Sequence, residues 1–170
     1  MSQQGSLSAG GISPGNTAQW LQTSTGAFAT ITTVINPTGD AIPQQTDGTE
    51  LLTLTITPTK ATNRLFLTFN CITASVEGGG TCIPSVALFQ DATANALAAG
   101  FLIASVVISA ASRSTNTLTY SMIAGTTEAT TFKIRCGVLA VTETLYINGA
   151  TTRQYGGVSS TTFTIVEVEV

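Results

Sequence analysis

Residues 130–170 read TTFKIRCGVLA (130–140), TETLYINGATTRQYGGV (142–158) and SSTTFTIVEVEV (159–170). Phe132, Ile134, Cys136 and Val138 recur at every second position, with Lys133 and Arg135 between them. That is the period of a strand with one buried face. Asn148-Gly149 follows Leu145-Tyr146-Ile147, and this pair supplies the two positive φ values of a tight hairpin turn. Gly156-Gly157 break the chain again. In the final run Phe163 and Ile165 share one face, whereas Val166, Val168 and Val170 share the other, with Glu167 and Glu169 between them. A phase change at Ile165-Val166 predicts a bulge. It also predicts a second apolar face, available as an interface.

The rest of the chain carries the same signature. It has 170 residues, enough for one domain with a full core. Charged residues are 9% against a globular norm of about 25%, and Thr, Ser, Gly and Ala fill the gap. Such a chain is a poor helix former and a good strand former. The net charge of −3, with six basic residues dispersed along the sequence, predicts no nucleic-acid partner. No apolar run reaches the roughly 20 residues of a membrane span. Met1 to Gly5 lack the charged start of a signal peptide, so assembly in a cytoplasm is expected.

In chain order, residues 1–24 are predicted to be a flexible N-terminal arm, polar and Gly-rich. Its only large apolar pair is Trp20-Leu21. Either Trp20 folds back over the core, or the pair anchors the arm in another protein. Strands are expected over 28–35, 52–57, 65–71, 83–90 and 117–122. The stretch 98–109 is apolar almost without alternation and predicts burial on both faces, in the core or against another subunit. Its Phe101, Ile103, Val106 and Ile108, with Val166, Val168 and Val170, are the candidate interface residues. Eight to ten short strands, turn signals about every ten residues and no helix between them predict an all-β fold. An antiparallel jelly-roll β-sandwich over residues 25–170 is the first expectation. An immunoglobulin-like sandwich is second, lacking its paired Cys and core Trp.

Residues for catalysis are sparse. There is no histidine, the usual general base. No serine sits in a nucleophile elbow. The nine carboxylates fall mostly in turns or on polar strand faces. A carboxylate pair for glycoside hydrolysis is the one enzymatic alternative. Three cysteines without CxxC spacing, and no histidine, leave no zinc site. Cys71 and Cys82 flank a Gly-rich turn and could pair across a hairpin, but small buried thiols are the simpler expectation. No cofactor or metal is expected, and the chain is expected not to be an enzyme.

Three segments carry a resemblance. They are ALFQDA (87–92) with ANALA (94–98), MIAGTT (122–127) leading into TFKIR (131–135), and Asn148-Gly149 with Arg153 and YGGV (155–158) before the last strand. Together they resemble a group of small bacteriophage virion domains found as fibre tips, head fibres and capsid decoration proteins. That group is similar in architecture to the trimeric jelly rolls of the tumour-necrosis-factor and C1q type. The resemblance implies a homotrimer without catalysis, on a virion surface. No shaft of heptad, collagen or repeated β segments precedes the domain, so decoration (cement) or head-fibre work is the first expectation. The arm, through Trp20 and Leu21, would then grip the major capsid or another virion protein. The alternative is a short tail-fibre tip that binds host-surface glycan, with Asn148, Arg153 and Tyr155 as loop contacts.

Overall fold

The structure is a computed structural model, and it describes residues 17–36, 39–76, 81–102, 105–106 and 112–170. The chain forms strands β1 (Thr17–Thr25), β2 (Ala29–Ile31), β3 (Thr49–Ile56), β4 (Arg64–Val76), β5 (Thr81–Cys82) and β6 (Ser85–Gln90). They are followed by β7 (Ala98–Phe101), β8 (Ser105–Val106), β9 (Ser112–Ile123), β10 (Thr130–Gly137), β11 (Thr144–Ile147) and β12 (Thr161–Val168). Among the described residues the only helical element is a 3₁₀ turn at Tyr155–Gly157. Among the described residues no helix is long and apolar enough to cross a membrane.

The long strands pair from the outside in. β1 pairs with β12, β3 with β10, β4 with β9, and β6 with β7, all antiparallel. Cross-links β12–β4 and β10–β6 gather these pairs into two sheets, β1-β12-β4-β9 and β3-β10-β6-β7. First with last, second with second-last: this is one long hairpin rolled onto itself, the strand order of a jelly roll. β4 spans the first sheet's whole length. One of its edges receives β12 along Arg64–Asn70 and β11 along Thr73–Val76, and its other edge receives β9.

Alternation explains the core. The inward rows are Leu65, Leu67, Phe69 and Cys71 on β4, Phe163 and Ile165 on β12, Phe132, Ile134 and Cys136 on β10, and Leu52 and Ile56 on β3. Each fully buried Leu, Ile or Phe contributes about 1.5–3 kcal/mol of transfer free energy. Cys71 is a free thiol facing this interior. The Cys71–Cys82 pairing is therefore not made, and residues 77–80 of the predicted turn lie outside the described residues.

Four expectations change. First, the last part of the segment assigned to the arm is strand: residues 17–25 form β1 on the edge of β12. Second, β12 has no bulge. Its alternation runs unbroken through Ile165 and Val166, turning Glu167 inward, and Val168 is buried as well. The register slip sits in β1, between Thr17 and Gln19. Third, β6 is a strand buried on both faces, whereas of the 98–109 stretch only 98–102 have described side chains. Ser85 to Phe89 are all buried, because a second small cluster of Ile35, Ala87 and Phe89 forms on the outer face of β6. Ile35 approaches so closely that a Cβ at Gly137 would stand 2.6 Å from its backbone nitrogen. β7 alternates normally, leaving Phe101 67% exposed at its end. Ile103 and Ile108 lie outside the described residues, and Val106 is placed only as backbone of β8. Fourth, Asn148-Gly149 joins no pair of neighbouring strands. Only Asn148 has positive φ, at 57°, and β11 pairs with β2 and β4 rather than with β12.

Candidate interaction surface

The outer face of the β1-β12-β4-β9 sheet is built from the residues that alternate with the core. Register sets its rows. Trp20, Val166, Phe66 and Ser121 lie side by side across the four strands. The next row is Gln22, Thr164, Thr68 and Thr119, and the one after it Ser24, Thr162, Asn70 and Thr117. None of these twelve positions carries a charge. Short polar bonds knit the rows: Gln22 Nε2 donates to Thr164 Oγ1 at 3.4 Å, and Thr117 Oγ1 donates to Asn70 Oδ1 at 2.7 Å. Trp20 is 60% exposed. Its neighbour in sequence, Leu21, points the other way and packs on the core. The two residues predicted as a joint anchor are thus split by the strand period, and Trp20 is the one on the surface. Phe66 lines a shallow groove between β4 and β9 with Thr68, Thr119 and Ser121.

A buried carboxylate fixes β1 in place. Glu167 Oε1 accepts from Asn63 Nδ2 at 2.7 Å and from Thr59 N and Oγ1, each at 2.8 Å. Its Oε2 accepts from Gln19 Nε2 at 2.7 Å, and the same Gln19 nitrogen donates to Thr57 O at 2.7 Å. Burial alone would raise the carboxyl's pKa. Hydrogen bonds from Asn63, Thr59 and Gln19 outweigh that and lower it. One side chain therefore ties together β1, β12 and the 57–63 loop. Strand periodicity has no signal for such a residue, since a Glu between two valines reads as a solvated position.

The three loop residues predicted to touch a ligand fare differently. Asn148 is fully buried. Its Nδ2 donates to Thr25 O at 2.8 Å and Ala27 O at 3.1 Å, and its Oδ1 accepts from Thr161 Oγ1 at 3.0 Å. It is a structural brace and cannot meet a ligand, because its amide is spent on backbone. Arg153 is exposed, and its guanidinium donates to Gly156 O. Tyr155 is 73% exposed. It is held by a loop in which Tyr155, Gly156 and Gly157 all have positive φ, at 50°, 61° and 88°. Of the interface candidates, Val170 and Phe101 are exposed, Val166 is half-buried on the outer face, and Val168 is inside. Among the described residues no group of three or more His, Cys, Asp or Glu could hold a metal ion.

No family model matches the sequence, and no curated protein matches it. Among solved structures, the chain is similar to a chain in the structure of infectious bursal disease virus, Gx strain, at 11% identity and a TM-score of 0.34. The match covers 96% of this chain and 42% of that one, so this chain spans about two fifths of the other's length. A score at that level carries no inference about function.

Proposed function

We propose that this chain is a non-enzymatic structural protein of a virion, a homotrimer that works as a capsid decoration or head-fibre protein and is attached through the residues ahead of β1. The observation that carries the proposal is the uncharged central patch of the outer sheet face, twelve positions between Arg64 and Arg113, on which Trp20, Val166 and Phe66 share one row. Apolar rows on an outer face mark interfaces, and an uncharged central patch can be covered by a neighbouring copy without burying a charge. A trimer suits the threefold positions of an icosahedral shell, where one interface serves many equivalent sites. A protein that binds only the assembled shell stabilises it by mass action. The alternative of a fibre tip reading host-surface carbohydrate draws less support, because Asn148 is buried and Arg153 is engaged with Gly156.

The test is the mass of the purified full-length protein by light scattering. A trimer is expected, and a monomer at every concentration would overturn the proposal. Deleting residues 1–16 should leave the trimer intact and abolish retention on particles assembled without the protein. Unchanged retention would remove the attachment role.

A further inference from the structure

A pocket of about 180 Å³ opens between residues 35–36 and 39–43 on one side and the outer face of β6 and β7 on the other. Its walls include Ile35, Asn36, Ala41, Pro43, Ala99 and Phe101. Ser85 also lines it, and Ser85 Oγ is buried without a hydrogen-bond partner. A buried hydroxyl left unpaired is unfavourable, so the site is one hydrogen bond short. Cavities of about 150 Å³ with apolar walls hold a benzene-sized ring. The pocket therefore fits a single ring bearing one hydroxyl, which is the chemistry of a phenol.

The chain carries such a group on its own surface. Tyr155 projects from a loop stiffened by three successive left-handed residues and by the Arg153–Gly156 contact. Charge agrees with the fit. Arg153 stands beside Tyr155, and Arg113 Nε reaches the same loop, donating to Gln154 Oε1 at 3.4 Å. At the pocket, Asp40 is exposed between Gly39 and Ala41, both of which line it. No ion pair among the described residues engages Asp40.

Position agrees as well. Ser85 pairs with Gly137 and Phe101, at the end of the sandwich away from the Glu167-bound loop. The Tyr155 loop leads into Thr161, which pairs with Thr25 at that same end. Rotation about an axis along the strands leaves height unchanged. A ring of copies around such an axis can therefore only join features at one level.

We infer that Tyr155 of one copy inserts into the Ser85–Phe101 pocket of the next, a knob-and-socket contact that repeats around the trimer. This rests on the proposal of self-association. A cyclic trimer has two-sided interfaces, here with the β12 side of one copy against the β7 edge of its neighbour.

The experiment measures trimer dissociation by sedimentation for wild type, Tyr155→Ala and Ala99→Leu. Both positions are exposed, so both variants keep the fold. Each should dissociate at least tenfold more readily than wild type. Mixed in equal amounts, one variant supplies knobs and the other sockets, and a mixed dimer should form in excess over either homodimer. Salt raised to about 0.5 M should weaken wild type more than Asp40→Asn. If either variant remains as trimeric as wild type, the knob and socket are refuted while self-association stands. A wild type that never associates removes both.

Discussion

Asn63 and Glu167 lie 104 residues apart in sequence and meet inside the fold, Asn63 Nδ2 donating to Glu167 Oε1 at 2.7 Å with both side chains fully buried. The pair closes the 57–63 loop over the last strand. Glu167→Gln keeps the shape but turns an amide N–H₂ toward groups that are themselves donors. Hydrogen bonds to a charged group are each worth about 1.5–3 kcal/mol. The variant should lose roughly 2–3 kcal/mol of stability, read from the urea midpoint. An unchanged midpoint would show that the network contributes nothing net.

The same carboxylate sets an acid dependence. Its pKa is lower in the folded protein than in the unfolded chain. The stability it contributes is present above the ordinary carboxylate range and is lost as pH falls through the lowered folded value. Wild type should therefore lose stability on acidification more steeply than Glu167→Gln. Parallel curves for the two proteins would contradict the assignment.

Asn148 should prove intolerant of change for reasons unrelated to a ligand. Ala at this position keeps neither the bonds to Thr25 O and Ala27 O nor easy access to φ of 57°. A loss of about 2–4 kcal/mol is expected, from the unmet carbonyls and the left-handed backbone together. Gly, which relieves only the backbone part, should recover a fraction of it. Full recovery with Gly would mean that the side-chain bonds are idle.

Burial pushes the Cys71 thiol up to about 12, and Cys136 is raised as well, by burial first and then by proximity to Cys71. Thiolate is the reactive form. Both cysteines should resist alkylation at pH 8 in the native protein and label only as it unfolds, as followed by mass spectrometry in a urea series. Rapid native labelling of Cys136 would mean that the two sheets part readily.

Trp20 is the chain's one tryptophan and is 60% exposed in the single copy. If the outer sheet face is the trimer surface, its fluorescence should shift to shorter wavelength as concentration rises through the association range. An emission maximum that stays put while the mass triples would take Trp20 out of the interface.

The strands with clean alternation were readable in advance: β10 from Phe132, Ile134 and Cys136, β4 from Leu65, Leu67 and Phe69, and the all-β class from their number. β1 was not. Of its inward positions only Leu21 is a large apolar residue, and Gln19, Thr23 and Thr25 fill the rest, a composition that reads as a loose arm. What makes it a strand is the free edge of β12, more than a hundred residues away. Glu167 was misplaced for a related reason. Its neighbours Val166 and Val168 suggested a change of phase, whereas the strand keeps its period and buries a carboxylate whose donors come from Gln19, Thr59 and Asn63. The exposure of Tyr155 and Arg153 agreed with their turn-like surroundings. Asn148 did not, since nothing local announces that its amide is spent on residues 25 and 27.

Thr17 pairs with Val168, so the point where the chain enters the sandwich lies beside the point where it leaves. A short tether could join these two points without disturbing any strand pair. A circularly permuted chain, opened instead in the exposed 91–95 turn, would keep the rolled-hairpin order while freeing the attachment end of both termini. The adjacency also bears on display engineering. If residues ahead of β1 grip a particle, cargo fused after β12 emerges against that particle and competes with docking. Cargo inserted beside Tyr155, at the opposite end, would point outward, though within reach of the proposed socket.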